Sequence, residues 1–173
     1  LSQAEHDEMA SAMLVTDSQT LAEAVQKELQ RQTALLPRKE IIEKSLKNYG
    51  LIVIAKDMQQ ACALGNIIAP EHMEICTKEP FSLLPKIKNA GAIFLGEYTP
   101  EPLGDYMAGP NHVLPTGGTA RFFSPLSIDD FIKKSSILSF SKEALLELAE
   151  DIVTFAQAEG LTAHANAVEV RKS

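Results

Sequence analysis

Cysteine, basic charge and long apolar runs are all scarce in this chain of 173 residues. Its two cysteines, Cys62 and Cys76, form no CxxC pair and no small-scaffold disulfide framework, a usage that fits a reducing cytoplasm. Sixteen Lys and Arg against 23 Asp and Glu leave a net charge of −7, and no basic cluster rises from that background. That balance argues against a nucleic-acid partner. The longest wholly apolar run, Leu51 to Ala55, is far below the roughly 20 residues a membrane-spanning helix needs. The opening residues lack an initiator Met and any basic-then-apolar leader pattern. They read as the middle of a helix, which gives the expectation of a segment cut from something longer. Secreted, membrane and nucleic-acid classes are thus disfavoured. What remains is an ordinary globular balance, 45% hydrophobic and 23% charged, with enough chain to bury a core in one domain or one domain plus an appendage.

Along the chain the pattern alternates between strand and helix. Ala12 to Val15 is a short apolar run, and Thr16-Asp17-Ser18 then offers helix N-cap chemistry. Leu21, Val25 and Leu29 form the expected buried stripe of the first helix. Pro37 separates it from a second helix with Ile41, Ile42 and Leu46 inward, and Gly50 suits the C-cap. Leu51 to Ile54 is apolar without alternation, the pattern of a parallel strand covered on both faces. Asp57 caps a third helix that ends at Pro70, Met73 to Cys76 is a third strand, Pro80 to Ala90 a helical stretch with a break at Pro85, and Gly91 to Leu95 a fourth strand. From Gly96 to Ser127 the chain is rich in Gly and Pro and reads as a functional loop. Ser141 opens a strong helix with Leu145, Leu148, Ile152 and Phe155 on one face; Gly160 ends it, and Leu161 to Val170 forms one more. The fold class is therefore α/β, a partial Rossmann-like domain with a mostly parallel sheet over 1–140, followed by a helical arm over 141–173.

Four histidines sit beside other site-capable groups. Gln3 and His6 are three residues apart, so on a helix they share a face and could reach one ion or simply face solvent. Glu71-His72 follows a Pro at a turn, without the spacing of HExxH or HxxEH. Asp105 and His112 lie in the Gly/Pro-rich stretch, where either could serve as an ordinary turn residue. Glu159 and His164 flank Gly160. Gly117-Gly118 has neither the Lys-Ser/Thr of a P-loop nor the spacing of GxGxxG, and the two cysteines read as core residues. Spacing alone leaves a metal site and a set of solvated polar positions both open.

Gly104-Asp105-Tyr106-Met107-Ala108-Gly109-Pro110-Asn111-His112-Val113-Leu114-Pro115-Thr116 closely resembles the signature segment of histidinol dehydrogenase. So do Ala69-Pro70-Glu71-His72, Gln3-Ala4-Glu5-His6 and Ala158-Glu159-Gly160-Leu161-Thr162-Ala163-His164, in matching order and rough spacing. The resemblance implies a zinc-dependent enzyme that oxidises L-histidinol to L-histidine through histidinal with two NAD+, at the end of histidine biosynthesis. It implies Gln3, His6, Asp105 and His164 as zinc ligands, an N/O set that suits Zn2+. By the same resemblance Glu71 and His72 are the catalytic pair: His72 is the base toward the alcohol, and Glu71 activates water for the second oxidation. His112 and Glu159 bind substrate, as do Gln3, His6, His72, Asp105 and His164 through the shared site. The family's homodimers cross their C-terminal arms, which implies Glu159 and His164 supplied in trans. Most NAD+ contacts are expected outside this chain, so these residues alone should bind NAD+ poorly. A non-catalytic zinc-binding dimerisation module is the alternative, and an α/β domain without metal a third. One geometric difficulty follows: in a simple parallel sheet Asp105 belongs at the carboxyl end and Glu71-His72 at the other. An antiparallel or displaced strand near Met73 would reconcile them.

Overall fold

A computed structural model describes residues 1–172. They fall into two units, divided between Phe131 and Ile132. In the first unit β1 (Met13–Thr16) leads into α1 (Gln19–Thr33), whose N-cap is Ser18, its side chain accepting from the Leu21 N–H. α2 (Lys39–Tyr49) follows the Pro37 break, and β2 (Leu51–Ile54) pairs in parallel with β1, Met13 opposite Leu51. Asp57 caps α3 (Met58–Ile68) by accepting from the Gln60 N–H, and α3 stops at Ala69, a left-handed residue with φ 51°. β3 (His72–Ile75) then pairs in parallel with β4 (Ala92–Leu95), His72 opposite Ala92 and Glu74 opposite Phe94. Among the described residues the strands form two separate two-stranded sheets, β1-β2 and β3-β4.

Several expectations need correction. Leu1 to His6 is a run of turns, with Glu5 N–H donating to Leu1 and His6 N–H to Gln3, not the middle of a helix. The stretch from Pro80 is one helical turn, α4 (Pro80–Leu83), and a 3-10 turn over Leu84–Lys86; Pro85 has no N–H with which to continue the ladder. β2 is not covered on both faces, since Leu51 and Ile54 stay nearly half exposed where a two-stranded ribbon has a single neighbour. In α1 the most buried position is Ala22 rather than Leu21. Cys62 is buried as expected, but Cys76, one residue past β3, is exposed.

The largest correction concerns the Gly/Pro-rich stretch. It contains a short helix, α5 (Glu101–Tyr106), entered through Pro100 at the N-cap and carrying Pro102 in its first turn. A proline there has no intrahelical hydrogen bond to lose, so the residues that read as breakers instead start the helix. Beyond α5 the chain is held by short polar turns. Asn111 accepts from the Val113 N–H and donates to the Leu126 carbonyl, while the Arg121 guanidinium donates to the carbonyls of Gly118 and Ile67.

The second unit holds α6 (Lys142–Ala158) and α7 (Thr162–Glu169). Ser141 caps α6 by accepting from the Ala144 N–H, and Gly160, at φ 73°, makes the reversal between the helices. The buried positions of the two helices are alanines: Ala149, Ala156 and Ala165. Of the expected apolar face, Leu148, Ile152 and Phe155 remain exposed. Among the described residues no helix is long and apolar enough to cross a membrane.

Candidate metal and catalytic site

β3 presents His72 and Glu74 on one face and Met73 and Ile75 on the other, because side chains alternate along a strand. The Met73 side chain packs toward α3, its Cε lying 3.0 Å from where a Cβ on Gly65 would sit. The His72 face is covered by α5. There the Glu101 N–H donates to Glu74 Oε1 at 2.8 Å, so a strand carboxylate does the work of the side-chain cap that Pro100 cannot supply. Gly104 lies over the Phe94 ring, which in turn sits 5.8 Å from the His72 ring, centroid to centroid.

This packing answers the difficulty of the two sheet ends. No antiparallel strand is involved, since β3 and β4 are parallel. Instead α5 folds back over the His72 face of the sheet, and one helical turn separates Glu101 from Asp105. His72 Nε2 consequently lies 3.7 Å from Asp105 Oδ1 and 4.0 Å from Glu101 Oε1. Ligand atoms of His72, Glu101 and Asp105 all fall within 4.8 Å of one another, close enough for one ion to touch all three. Both ring nitrogens of His72 are buried without a hydrogen-bond partner. An unpartnered buried imidazole costs free energy unless something else meets it, and a cation or a substrate hydroxyl is what such a nitrogen accepts. Burial, then the Asp105 carboxylate beside it, which favours the protonated form of Glu101, push the Glu101 carboxyl above the usual range; the charges of His72 and His6 oppose that rise.

The expected site residues are distributed unevenly. His72 and Asp105 come together. Exposed His6 lies outside the group of three but near enough for its charge to act on Glu101. Gln3 is half-buried in the same N-terminal turn, next to the fully buried Ala4. Glu71 precedes β3, its carbonyl accepting from the Ala92 N–H at 2.8 Å, and its carboxylate is not part of the group of three. His112 is exposed in the loop after α5. In the second unit Glu159 is the exposed C-cap of α6 and His164 an exposed residue of α7. Glu101 is the residue that sequence reasoning missed. Its signal was present: it lies four residues before Asp105, the spacing that puts two carboxyls on one helix face.

The sequence model of the family described as histidinol dehydrogenase matches residues 1–172. This chain belongs to the histidinol dehydrogenase family. It is 61% identical over 171 residues to the histidinol dehydrogenase of Caldanaerobacter subterraneus subsp. tengcongensis, covering 99% of this chain and 40% of that protein. It is 57% identical over 173 residues to that of Aquifex aeolicus, covering 100% of this chain and 41% of that one. The crystal structure of histidinol dehydrogenase from Elizabethkingia anophelis superposes with a TM-score of 0.87 at 36% identity, over 98% of this chain and 39% of that chain. The chain therefore spans about two fifths of the length of the histidinol dehydrogenases it matches.

Proposed function

We propose that the polypeptide containing this segment is a histidinol dehydrogenase that oxidises L-histidinol to L-histidine through L-histidinal, with two NAD+ and one zinc per active site. The observation that supports this reading most is the meeting of His72 and Asp105, an orphaned imidazole beside a carboxylate, inside a chain of that family. Bound zinc supplies a template and clamp for the substrate, and NAD+ supplies the hydride acceptor of each half-reaction. Gln3, His6, Asp105 and His164 would hold the zinc, two imidazoles with two oxygen donors, a set chemically suited to that ion. The NAD+ contacts belong mainly to the polypeptide outside these residues.

In the first half-reaction His72 takes the hydroxyl proton of histidinol as the neighbouring carbon gives up hydride. In the second, Glu71 takes a proton from the water that adds to the aldehyde carbon; the hydrate then loses hydride, and the product is the carboxylate. One alcohol, one water and two NAD+ thus become one carboxylate, two NADH and three protons. Glu159 provides a countercharge to the substrate amine, and His112 assists proton transfer in the second oxidation. The arm, read as 141–173, would carry Glu159 and His164 into the partner's site in a cytoplasmic homodimer.

The test is histidinol-dependent NADH formation by the full-length protein, with about two NADH expected per histidinol. Zinc bound at one per chain with no turnover would instead support a non-catalytic zinc-binding dimerisation module. For the arm, His164→Ala in the full-length protein is expected to lose most of its zinc, measured per chain by elemental analysis. Mixing His164→Ala with His72→Ala subunits should regain activity that neither has alone, because one site of each hybrid then has every residue. Full zinc in His164→Ala, or no regain on mixing when hybrids form, would remove the trans assignment.

A further inference from the structure

Glu101 is held from both directions. Its backbone N–H is taken by Glu74 Oε1 at 2.8 Å, and its side chain, 13% exposed, stands 4.0 Å from His72 Nε2 and one helical turn before Asp105. We propose that Glu101 is a positioning residue, fixing the Asp105 carboxylate and the His72 imidazole on one face of β3 so that both address the same bound cation and alcohol. This inference rests on the functional reading above.

The geometry limits what else Glu101 could be doing. Pro100 and Pro102 on either side fix the backbone of the first turn of α5, so the side chain leaves from a constrained point. Among the described residues the charged groups that act on it are His72, Asp105 and, more remotely, His6. A carboxyl in so closed a place costs more than an apolar side chain of similar volume would, so packing alone does not explain it. A carboxylate that binds a cation through one oxygen keeps a second oxygen for an outer partner, and that partner sets its orientation. Glu101, one helical turn before Asp105 and with its carboxyl oxygen within 4.8 Å of Asp105's, occupies that outer position. It also stands beside Asp105 in front of His72 Nε2, 4.0 Å from that nitrogen against 3.7 Å for Asp105.

The experiment compares Glu101→Ala and Glu101→Gln with wild type in the full-length protein. Zinc retention against a competing chelator, kcat and KM for histidinol at saturating zinc, and thermal unfolding of the zinc-free protein are read together. Glu101→Ala is expected to weaken zinc retention by roughly 10–100-fold and to lower kcat more than it changes KM. Glu101→Gln, which keeps a hydrogen-bonding group of the same shape, should recover much of the zinc retention, and the zinc-free unfolding temperature should change little in either. Unaltered zinc retention and kcat in Glu101→Ala would overturn the inference. So would equal damage in both variants accompanied by a matching fall in zinc-free unfolding temperature, since that marks a packing residue. A wild-type protein that neither holds zinc nor oxidises histidinol overturns the functional reading itself, a result distinct from either.

Discussion

His72→Ala in the full-length enzyme is expected to slow the first oxidation by roughly 10²–10⁴-fold, the usual contribution of a positioned acid–base group. The expectation rests on position. His72 begins β3, its ring is pinned beside Phe94, and its Nε2 faces the Asp105 carboxylate at 3.7 Å with no hydrogen-bond partner of its own. A proton acceptor held in that way loses its function on truncation while the fold keeps its strand, because Met73 and Ile75 pack on the opposite face. Separate single-turnover measurements of NADH formation, one starting from histidinol and one from histidinal, check this. Glu71→Gln should show the opposite bias, sparing the alcohol step and harming the aldehyde step, since an amide cannot take the proton of the attacking water. Equal small effects of both substitutions on both steps would sink the assignment of roles.

Glu71 and His72 stood out through the family resemblance; that Glu101 did not stand out has a physical basis. Local chemistry announced itself: the Thr16-Asp17-Ser18 cluster, Asp57 and Ser141 read as N-cap signals, and Ser18, Asp57 and Ser141 each accept a hydrogen bond from the first turn of their helix. The four strands were equally readable, to within a residue or two at the ends, and so was their parallel sense, but one mostly parallel sheet was expected and the described strands form two. The difficulties arose where tertiary packing overrides local preference. Pro100, Pro102 and Gly104 read as a loop, yet the prolines sit where a helix tolerates them and the glycine sits where Phe94 requires it. Without α5 the Asp105 motif had no path to His72. Likewise the apolar stripe of α6 was correctly helical, but its buried positions are alanines, whose low hydrophobicity gives no stripe. Periodicity reports which side of a helix is apolar and is silent on which side a given neighbour covers.

Gly104→Ala separates propensity from packing, because the two predict opposite signs. Alanine in a helix interior is more favourable than glycine by about 0.8–1.0 kcal/mol, so propensity alone expects a more stable protein. In α5 the added Cβ would lie 2.5 Å from Phe94 Cε1 and 2.9 Å from Cζ, far inside van der Waals contact. Phe94 is only 7% exposed and its ring abuts His72, so it cannot turn aside without pressing on the imidazole. The other escape lifts α5 from the sheet, which stretches the Glu101 N–H to Glu74 hydrogen bond and carries Asp105 away from His72. Overpacking of this kind costs about 1–3 kcal/mol, so packing outweighs propensity and Gly104→Ala is expected to lower the unfolding temperature. The catalytic loss should be larger than the stability loss suggests, since a displacement of about 1 Å between reacting groups can cost on the order of 10²-fold in rate. Zinc retention should fall in parallel, because Asp105 travels with the helix. Thermal unfolding of the zinc-free protein and kcat at saturating zinc are the two readings. A variant as stable as wild type or more so, with kcat unchanged, would mean that the sheet yields to the methyl group without moving His72 or Asp105. The close fit of Gly104 to Phe94 would then not be what sets the distance between them.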